Sequence, residues 1–506
     1  MRPSVYIIGA GPGAPDLLTL RGLRALQAAQ VVIYDRRIHP RLLDLSPLSA
    51  ERIDVGNAAP QPPEQDAINF LIAEKAREGH VVARLKWGDP FLFDHGGPEA
   101  LFLHEQGIAF EVVPGVPALV AAPAFAGIPL TYPGSGDTVT FIRGFEDGGR
   151  KPLAVDWASL ARLDGTLACF AGSDLLTQVV SQLLAHGRSP EESAAFVAHG
   201  TLSAQQTIAA PLGALVARVE EQGLSAPGIL VVGSVAGLRD HLRWFDNRPL
   251  FGRRVLVTRS REQAPELVEL LEMNGAEPVE APVLRIAGPE DPGPLARALA
   301  DLGAFDWLVF TSTNAVAGLV GPLLAEARDL RALAGPRICA VGPGTASRLN
   351  RFGVVPDVQP ADHRAPGVVA ALTSAGPLRH TRVLLPVSDG SGETLADELR
   401  AVGADVTEVP AYRTITEEGD AHLALYRQML DRRIDAVTFT SGNTVRAFVD
   451  IYGTEQSPDL LSGTAVATIG PAAADAAARA GIRVDIATEG ATIAALVDGL
   501  IGHFRS

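Results

Sequence analysis

Cysteine is nearly missing from this chain: Cys169 and Cys339 are the only two among 506 residues, far apart in the sequence. A disulfide scaffold, a thiolate zinc site and a redox pair are therefore excluded, and both thiols are expected as small buried apolar groups in a reducing compartment. Positive charge is also in short supply. Lys and Arg number 43 against 58 Asp and Glu, a net charge of -15, which argues against the basic face that nonspecific nucleic-acid binding needs. An anionic ligand has to be held by local donors. Long uninterrupted apolar runs are lacking as well. Met1 to Ser4 lead straight into Val5 to Ile8, leaving no space for the regions of a signal peptide, so the expected location is cytoplasmic. Val112 to Leu130 has no charged side chain, but Pro114, Pro117, Pro123 and Pro129 would break a spanning helix, and no membrane contact is expected.

What is present is a steady alternation of short β-branched runs with Ala/Leu/Arg-rich helical patterns, as in Val5 to Ile8, Leu17 to Ala29 and Val31 to Tyr34. That is the signature of an α/β fold. The length allows several domains, each able to bury a core. A Trp/Phe/Asn/Pro/Gly-containing stretch before the fresh strand Val255 to Thr258 marks a linker at 243–252, between domains 1–242 and 253–506.

The later domain repeats itself. Asp306 to Val316 (Asp-Trp-Leu-Val-Phe-Thr-Ser-Thr-Asn-Ala-Val) returns at Asp435 to Val445, offset 435 - 306 = 129, and Val341-Gly-Pro343 returns at Ile469-Gly-Pro471, offset 469 - 341 = 128. Gly275 to Arg285 likewise returns at Gly403 to Arg413, offset 403 - 275 = 128. A period this long implies a duplicated α/β domain of two similar lobes, able to grip a ligand with equivalent loops. In each copy a strand ends in Thr-Ser-x-Asn, placing Thr311, Ser312, Thr440 and Ser441 at strand-to-helix turns that offer free N–H groups and hydroxyls to anions. Helix capping is the other reading of the same residues. No Cys/His metal cluster, Ser/His/Asp order or lysine-containing phosphate loop appears in this half.

Val257-Thr-Arg259, Phe310-Thr-Ser312, Val341-Gly-Pro343, Tyr412-Arg-Thr414, Phe439-Thr-Ser441, Ile469-Gly-Pro471 and Thr492-Ile493, in that order, resemble uroporphyrinogen III synthase over 253–505. The resemblance implies cyclisation of linear hydroxymethylbilane with loss of water and inversion of ring D, without a cofactor. Because that substrate ionises and cyclises spontaneously to the wrong isomer, geometry should matter more than a strong acid or base. It further implies that Tyr412 assists departure of the hydroxyl, and that Thr345 and the amides around Ser312, Ser441 and Gly470 hold carboxylates. Arg259 is expected to pair with a substrate acid. Tyr412 also reads as an amphipathic cap, and Arg259 as a surface salt-bridge residue. Val387-Ser388 stands where the family often has a basic residue after Leu-Pro.

The first half opens with Gly9-Ala-Gly11-Pro-Gly13 after a strand, but Pro12 argues against a standard dinucleotide site. With Tyr34-Asp35-Arg36, Gly88-Asp89-Pro90-Phe91, Pro114-Gly-Val116, Gly127 to Thr131 and Gly200-Thr201, this half resembles the tetrapyrrole methylases over 4–236, specifically uroporphyrinogen III C-methyltransferase. That implies a cleft between two α/β domains holding S-adenosylmethionine, methylation of two carbons of uroporphyrinogen III toward siroheme or cobalamin, and a homodimer through this half. Pro12, Gly88, Asp89, Leu92, Ala118, Ala171 and Gly200 are the implied cofactor residues, and Asp35 the implied proton acceptor. Asp89 also reads as a turn former and Asp35 as a cap or surface carboxylate.

Departures are several here. Gly56-Asn57-Ala58 replaces Gly-Lys-Arg, Trp87 replaces a glycine, Pro117-Ala118 stands for Thr-Ser, Ala171 for Met, Tyr132-Pro133 for a basic pair and Asp94-His95 for Gly-Arg. An indole at 87 is expected to fill part of the cofactor pocket. The alternative reading is thus a synthase carrying an inactive methylase domain with a binding or structural role.

Overall fold

In the computed structural model the described residues are 3–56, 64–135, 137–143, 155–224, 226–261, 263–325, 329–389, 394–416, 420–488, 490 and 492–505. The chain divides into two compact units, 1–253 with 271–277 and 504–506, and 254–270 with 278–503. The segment 243–252 packs Phe245 and Leu250 into buried positions, with Phe245 edge-on to Phe125 at 4.8 Å.

The first unit has two five-stranded sheets. Strands β1 (Val5–Gly9), β2 (Val31–Tyr34), β3 (Glu51–Asp54), β4 (Val82–Lys86) and β5 (Phe110–Val113) form a parallel sheet in the order β3-β2-β4-β1-β5. Helices cover it, so β1 and β4 are buried along nearly their whole length and read as continuous apolar runs. The exceptions are Arg84 and Lys86, two cations inside a central strand. Strands β6 (Val139–Ile142), β7 (Thr166–Ala171), β8 (Ser193–Ala198), β9 (Gln206–Pro211) and β10 (Gly228–Val232) form a mixed sheet in the order β6-β7-β10-β8-β9, parallel only between β6 and β7. The apolar stretch 112–130 supplies the short helix Ala118–Phe125, whose Leu119 and Ala122 are buried among Phe170, Val197 and Ile229 of this second sheet. Pro117 caps it and Pro123 lies inside it. No helix among the described residues is long and apolar enough to cross a membrane.

The second unit contains β11 (Arg254–Val257), β12 (Glu277–Glu280), β13 (Leu284–Ala287), β14 (Trp307–Phe310), β15 (Arg337–Ala340), β16 (Arg382–Ser388), β17 (Asp405–Thr416), β18 (Ala436–Phe439), β19 (Ala465–Ile469) and β20 (Ile486–Thr488). The sheets run β12-β11-β18-β19-β20 and β13-β17-β16-β14-β15. Shifted by 128 or 129 residues, β11, β12, β14 and β15 become β16, β17, β18 and β19, so the two lobes have the same strand order. The duplication expected from sequence is therefore present, with one difference. Each sequence copy does not fold as one lobe: β11 and β12 of the first copy pair with β18 to β20 of the second, and β14 and β15 pair with β16 and β17. Because the copies are equivalent, this exchange preserves every parallel neighbour while giving the chain two crossings. The antiparallel ribbon of β13 with the end of β17, Leu284 opposite Thr416 and Ala287 opposite Arg413, carries them.

Detailed bonds repeat with the strands. Asp306 accepts the amide of Arg382 at 2.7 Å and Asp435 that of Arg254 at 2.8 Å. Asp357 accepts the amide of Ile338 at 2.7 Å and Asp485 that of Val466 at 3.0 Å. Each carboxylate satisfies an amide at the entry of a parallel strand. Even β20 has a vestigial counterpart, the bridge between Cys339 and Val358 standing where Ala467 meets Ile486. Cys169 and Cys339 are both buried, which pushes their thiol pKa values up to about 12.

Candidate functional site

In the first unit the loops after β1, β2 and β4 meet at the carboxyl edge of the parallel sheet, where open α/β sheets bind ligands. The approach is close enough to require glycine. A Cβ on Gly9 would lie 2.4 Å from the Gly115 nitrogen, and Gly88 has φ +70°. Asp89 fastens these loops, accepting the amide of Phe91 at 2.8 Å through Oδ1 and that of Gly115 at 3.0 Å through Oδ2. Its turn-forming role is therefore filled. Gly200 lies between His199 and Thr201, both at positive φ, and its own Cβ would lie 2.3 Å from Ala122. Thr201 accepts the amide of Ala14 at 3.1 Å, tying the β8 loop to the glycine loop.

Two cavities open here. One, of about 350 Å³, is lined by Pro12, Ala118, Ala171 and Gly200 among the implied cofactor residues, with apolar walls from Phe170 and Ile229. The other, of about 340 Å³, is lined by Gly88, Asp89, Leu92 and Ala118, together with Asp35. The seven implied cofactor residues are thus divided between two neighbouring hollows. Trp87 borders both. Its Nε1 donates to the Pro12 carbonyl at 2.8 Å, its ring lies 5.8 Å from Phe170, and the Arg37 guanidinium sits 5.3 Å from its centroid. The indole is a wall between the cavities, and neither is closed by it. Gly56 borders the second cavity, while Asn57 lies outside the described residues.

In the second unit Tyr412 sits on β17 opposite Ser388, at a register shift in the β16–β17 pairing, and its carbonyl accepts the amide of Asp389 at 2.8 Å. Bulges of this kind re-aim a side chain. Tyr412 Oη meets Ser312 Oγ at 3.2 Å, and Ser312 Oγ also accepts the amide of Ala315 at 3.0 Å. Ser441 forms a capping box with Thr444. Capping is thus a role of both serines, and Ser312 alone is also joined to Tyr412. Thr311 is exposed and Thr440 half-buried at the same turns. Thr345 is buried and its hydroxyl donates to the Val341 carbonyl at 3.0 Å. Gly470 has φ +71° with open space where a Cβ would stand.

Gln263, in the loop after β11, donates to Asn314 Oδ1 at 2.9 Å at the turn after β14. This brings the Arg259 loop of one lobe to the Ser312 turn of the other. The Nε of Arg259 is buried without a hydrogen-bond partner, and burial lowers the guanidinium pKa, opposed by Glu266. Among the described residues no hydrogen bond joins Ser441 or Gly470 to Tyr412.

Residues 4–216 match the family Tetrapyrrole (Corrin/Porphyrin) Methylases, and residues 265–498 match Uroporphyrinogen-III synthase HemD. Over 505 residues the chain is 34% identical to the porphyrin biosynthesis protein HemD of Ruminiclostridium josui, covering 98% of this chain and 97% of that protein. The chain belongs to the HemD family of porphyrin biosynthesis proteins, with a tetrapyrrole methylase half in front of its synthase half. The methylase half is 41% identical over 239 residues to the S-adenosyl-L-methionine-dependent uroporphyrinogen III methyltransferase of Methanosarcina barkeri, covering 47% of this chain and 94% of that protein. The uroporphyrinogen-III C-methyltransferase of Bacillus subtilis is 34% identical over 358 residues, 70% of this chain and 73% of that protein.

The methylase half also holds a charged cluster that the sequence reading did not name as one. Arg84, Lys86 and Glu99 are almost fully buried. Glu99 Oε1 accepts from Arg84 Nη2 at 3.1 Å and from Lys86 Nζ at 3.0 Å; Arg84 donates to Asp35; Lys86 lies 3.2 Å from Asp94. Burial opposes the charge on Arg84, but Glu99 and Asp35 outweigh it and raise its pKa. Burial raises the pKa of Asp94, with Lys86 pulling it down. The available signal was the pair of cations two residues apart on β4, a strand that otherwise reads as apolar core. Basic side chains also line the second cavity: Arg36 of the matching Tyr34-Asp35-Arg36 motif, with Arg37, Arg143 and His95.

Proposed function

We propose that this chain performs two successive steps of tetrapyrrole biosynthesis: the synthase half cyclises hydroxymethylbilane to uroporphyrinogen III, and the methylase half methylates that product with S-adenosylmethionine. The observation that carries the second step is the pair of adjoining cavities, both open despite Trp87. The first cavity suits the cofactor, since its apolar walls accept an adenine ring and its glycine-rich rim exposes main-chain donors. When bound, S-adenosylmethionine supplies an electrophilic methyl carbon. Pro12, Ala118, Ala171 and Gly200 hold it there, and Gly88, Asp89 and Leu92 shape the passage toward the second cavity. Arg36, Arg37 and Arg143 bring the acid-bearing tetrapyrrole to the opposite side of the indole wall, where Asp35 also borders the cavity.

In the synthase half no cofactor takes part. Tyr412 Oη donates to the departing hydroxyl, with Ser312 beside it, while Arg259, Thr311, Ser312, Thr440, Ser441 and Gly470 hold substrate carboxylates through side chains and turn amides. Thr345 acts by holding its turn, because its hydroxyl is engaged by a main-chain carbonyl. The buried Arg259 Nε without a protein partner supports an anionic ligand at this place. The chain works in the cytoplasm, and the methylase half pairs with a second copy; sedimentation velocity checks the latter.

Incubation of the purified protein with hydroxymethylbilane, with and without S-adenosylmethionine, tests both steps. Isomer III is expected in each case and methylated product only with the cofactor. Isomer I alone would remove the synthase claim. Isomer III without methylation, together with no calorimetric binding of S-adenosylhomocysteine, would favour an inactive methylase half.

A further inference from the structure

Every methyl group joined to a pyrrole carbon displaces one proton, so the methylase half needs an acceptor at the second cavity. The motif pattern points to Asp35. In the structure Asp35 is held on both sides by buried cations, accepting from Arg84 Nη2 through Oδ1 and lying 3.5 Å from Lys86 Nζ through Oδ2. A carboxylate so engaged makes a poor receiver.

Asp94 borders the same cavity and is held differently. The His95 amide donates to its Oδ1 at 2.6 Å, and Lys86 Nζ lies 3.2 Å from that same oxygen. Its polar contacts thus run to one oxygen, leaving the lone pairs of Oδ2 for a ligand. We propose that Asp94 is the proton acceptor of the methyl-transfer step in this chain, with Lys86 bridging it to Asp35. The inference rests on the methyltransferase reading above.

The π electrons of the pyrrole carbon form the new carbon–carbon bond as the carbon–sulfur bond breaks and sulfur keeps its pair. The ring is left positive and becomes neutral by giving a proton to Asp94 Oδ2, which returns it to water when product leaves. Burial raises the Asp94 pKa and makes the carboxylate a stronger base, which favours proton transfer near neutral pH. The charged and titratable groups around it are Lys86 and Arg84 on β4, Asp89 in the loop after β4, Asp35, Arg36 and Arg37 after β2, the adjoining His95, Glu99 on the helix that begins at Gly96, and Arg143 after β6. Asp35 and Lys86 then act as positioning residues that fix where Asp94 stands.

The sign of the pH effect is fixed by chemistry. The acceptor must be ionised, so activity falls as pH drops through the Asp94 pKa, at a higher pH than an ordinary aspartate would give. Asp94→Asn is expected to lower the methylation rate about 100-fold, within the range for lost general-base catalysis, and to abolish the acidic limb of kcat/KM. Its affinity for S-adenosylhomocysteine, read by calorimetry, stays within about twofold, as for one lost contact outside the cofactor cavity. Asp35→Asn is expected to slow the reaction while keeping the limb, and Asp94→Glu to keep it as well. An Asp94→Asn protein with the native rate and profile overturns the inference, as does loss of the limb in Asp35→Asn with its retention in Asp94→Asn. Absence of methylation in the native protein is a different result, since it removes the reading on which the inference stands.

Discussion

Tyr412 illustrates how little chemistry a single side chain has to supply when the substrate ionises unaided. Its hydroxyl lies 3.2 Å from Ser312 Oγ, and the two are joined by a single neutral hydrogen bond. Removing one neutral hydrogen bond in the transition state costs about 1 to 1.5 kcal/mol, roughly tenfold in rate. Tyr412→Phe is therefore expected to lower synthase kcat by about tenfold while isomer III remains the main product, since folding of the substrate depends on the turns. Stopped assays with isomer separation check this; a switch to isomer I would mean that Tyr412 directs ring inversion. Trp87 acts differently, as a partition. The other tryptophans, Trp157, Trp244 and Trp307, border neither cavity. Addition of S-adenosylhomocysteine should change the intrinsic fluorescence through Trp87, and Trp87→Phe should remove most of that change. An undiminished response in the variant would place the ligand away from the indole.

At the level of strands, the repeated carboxylate–amide bonds offer a test of the duplication that needs no substrate. Asp306→Ala removes the acceptor of the Arg382 amide, and Asp435→Ala that of the Arg254 amide. Each should destabilise its lobe by about 1 to 2 kcal/mol, with Asp435→Ala the larger because its bond is the more buried. Urea unfolding of the two variants reads the difference, and an unchanged midpoint in both would show that these bonds contribute nothing. The repeat itself was legible because equal offsets survive in Gly275/Gly403 and Gly342/Gly470, where a positive φ restricts the residue to glycine. The exchange of strands between copies was not. An offset is the same whether β11 pairs within its own copy or with β18, so one dimension carries no trace of the choice. The charge cluster on β4 escaped for another reason. Asp94 and Glu99 approach Lys86 from a loop and a helix, and no local spacing announces their meeting. Asp94 read as the loss of a family glycine, when in the folded chain it is a carboxylate added beside a buried ammonium.

Across the whole molecule the decisive fact is a mismatch of charge. The protein carries -15 and its substrates carry many carboxylates, so the long-range field opposes their encounter. Recognition has to come from short-range groups, and the function proposed above assigns it to Arg259, whose buried Nε has no hydrogen-bond partner, in the synthase half and to Arg36, Arg37 and Arg143 around the second methylase cavity. These two contributions respond to salt over different distances. The field acts over a screening length of about 30 Å at 0.01 M salt and about 10 Å at 0.1 M, whereas a guanidinium and a carboxylate in contact inside a cleft are screened far less. Between these concentrations the repulsion should therefore fade before the local attraction does. Under conditions where encounter limits turnover, kcat/KM for hydroxymethylbilane is expected to rise by about two- to threefold from 0.01 to 0.1 M salt, and to fall again only at higher concentration as the close contacts weaken. A steady decrease over the same range would show that the local cations already dominate at a distance, and that the acidic remainder of the surface faces away from the approach of the substrate.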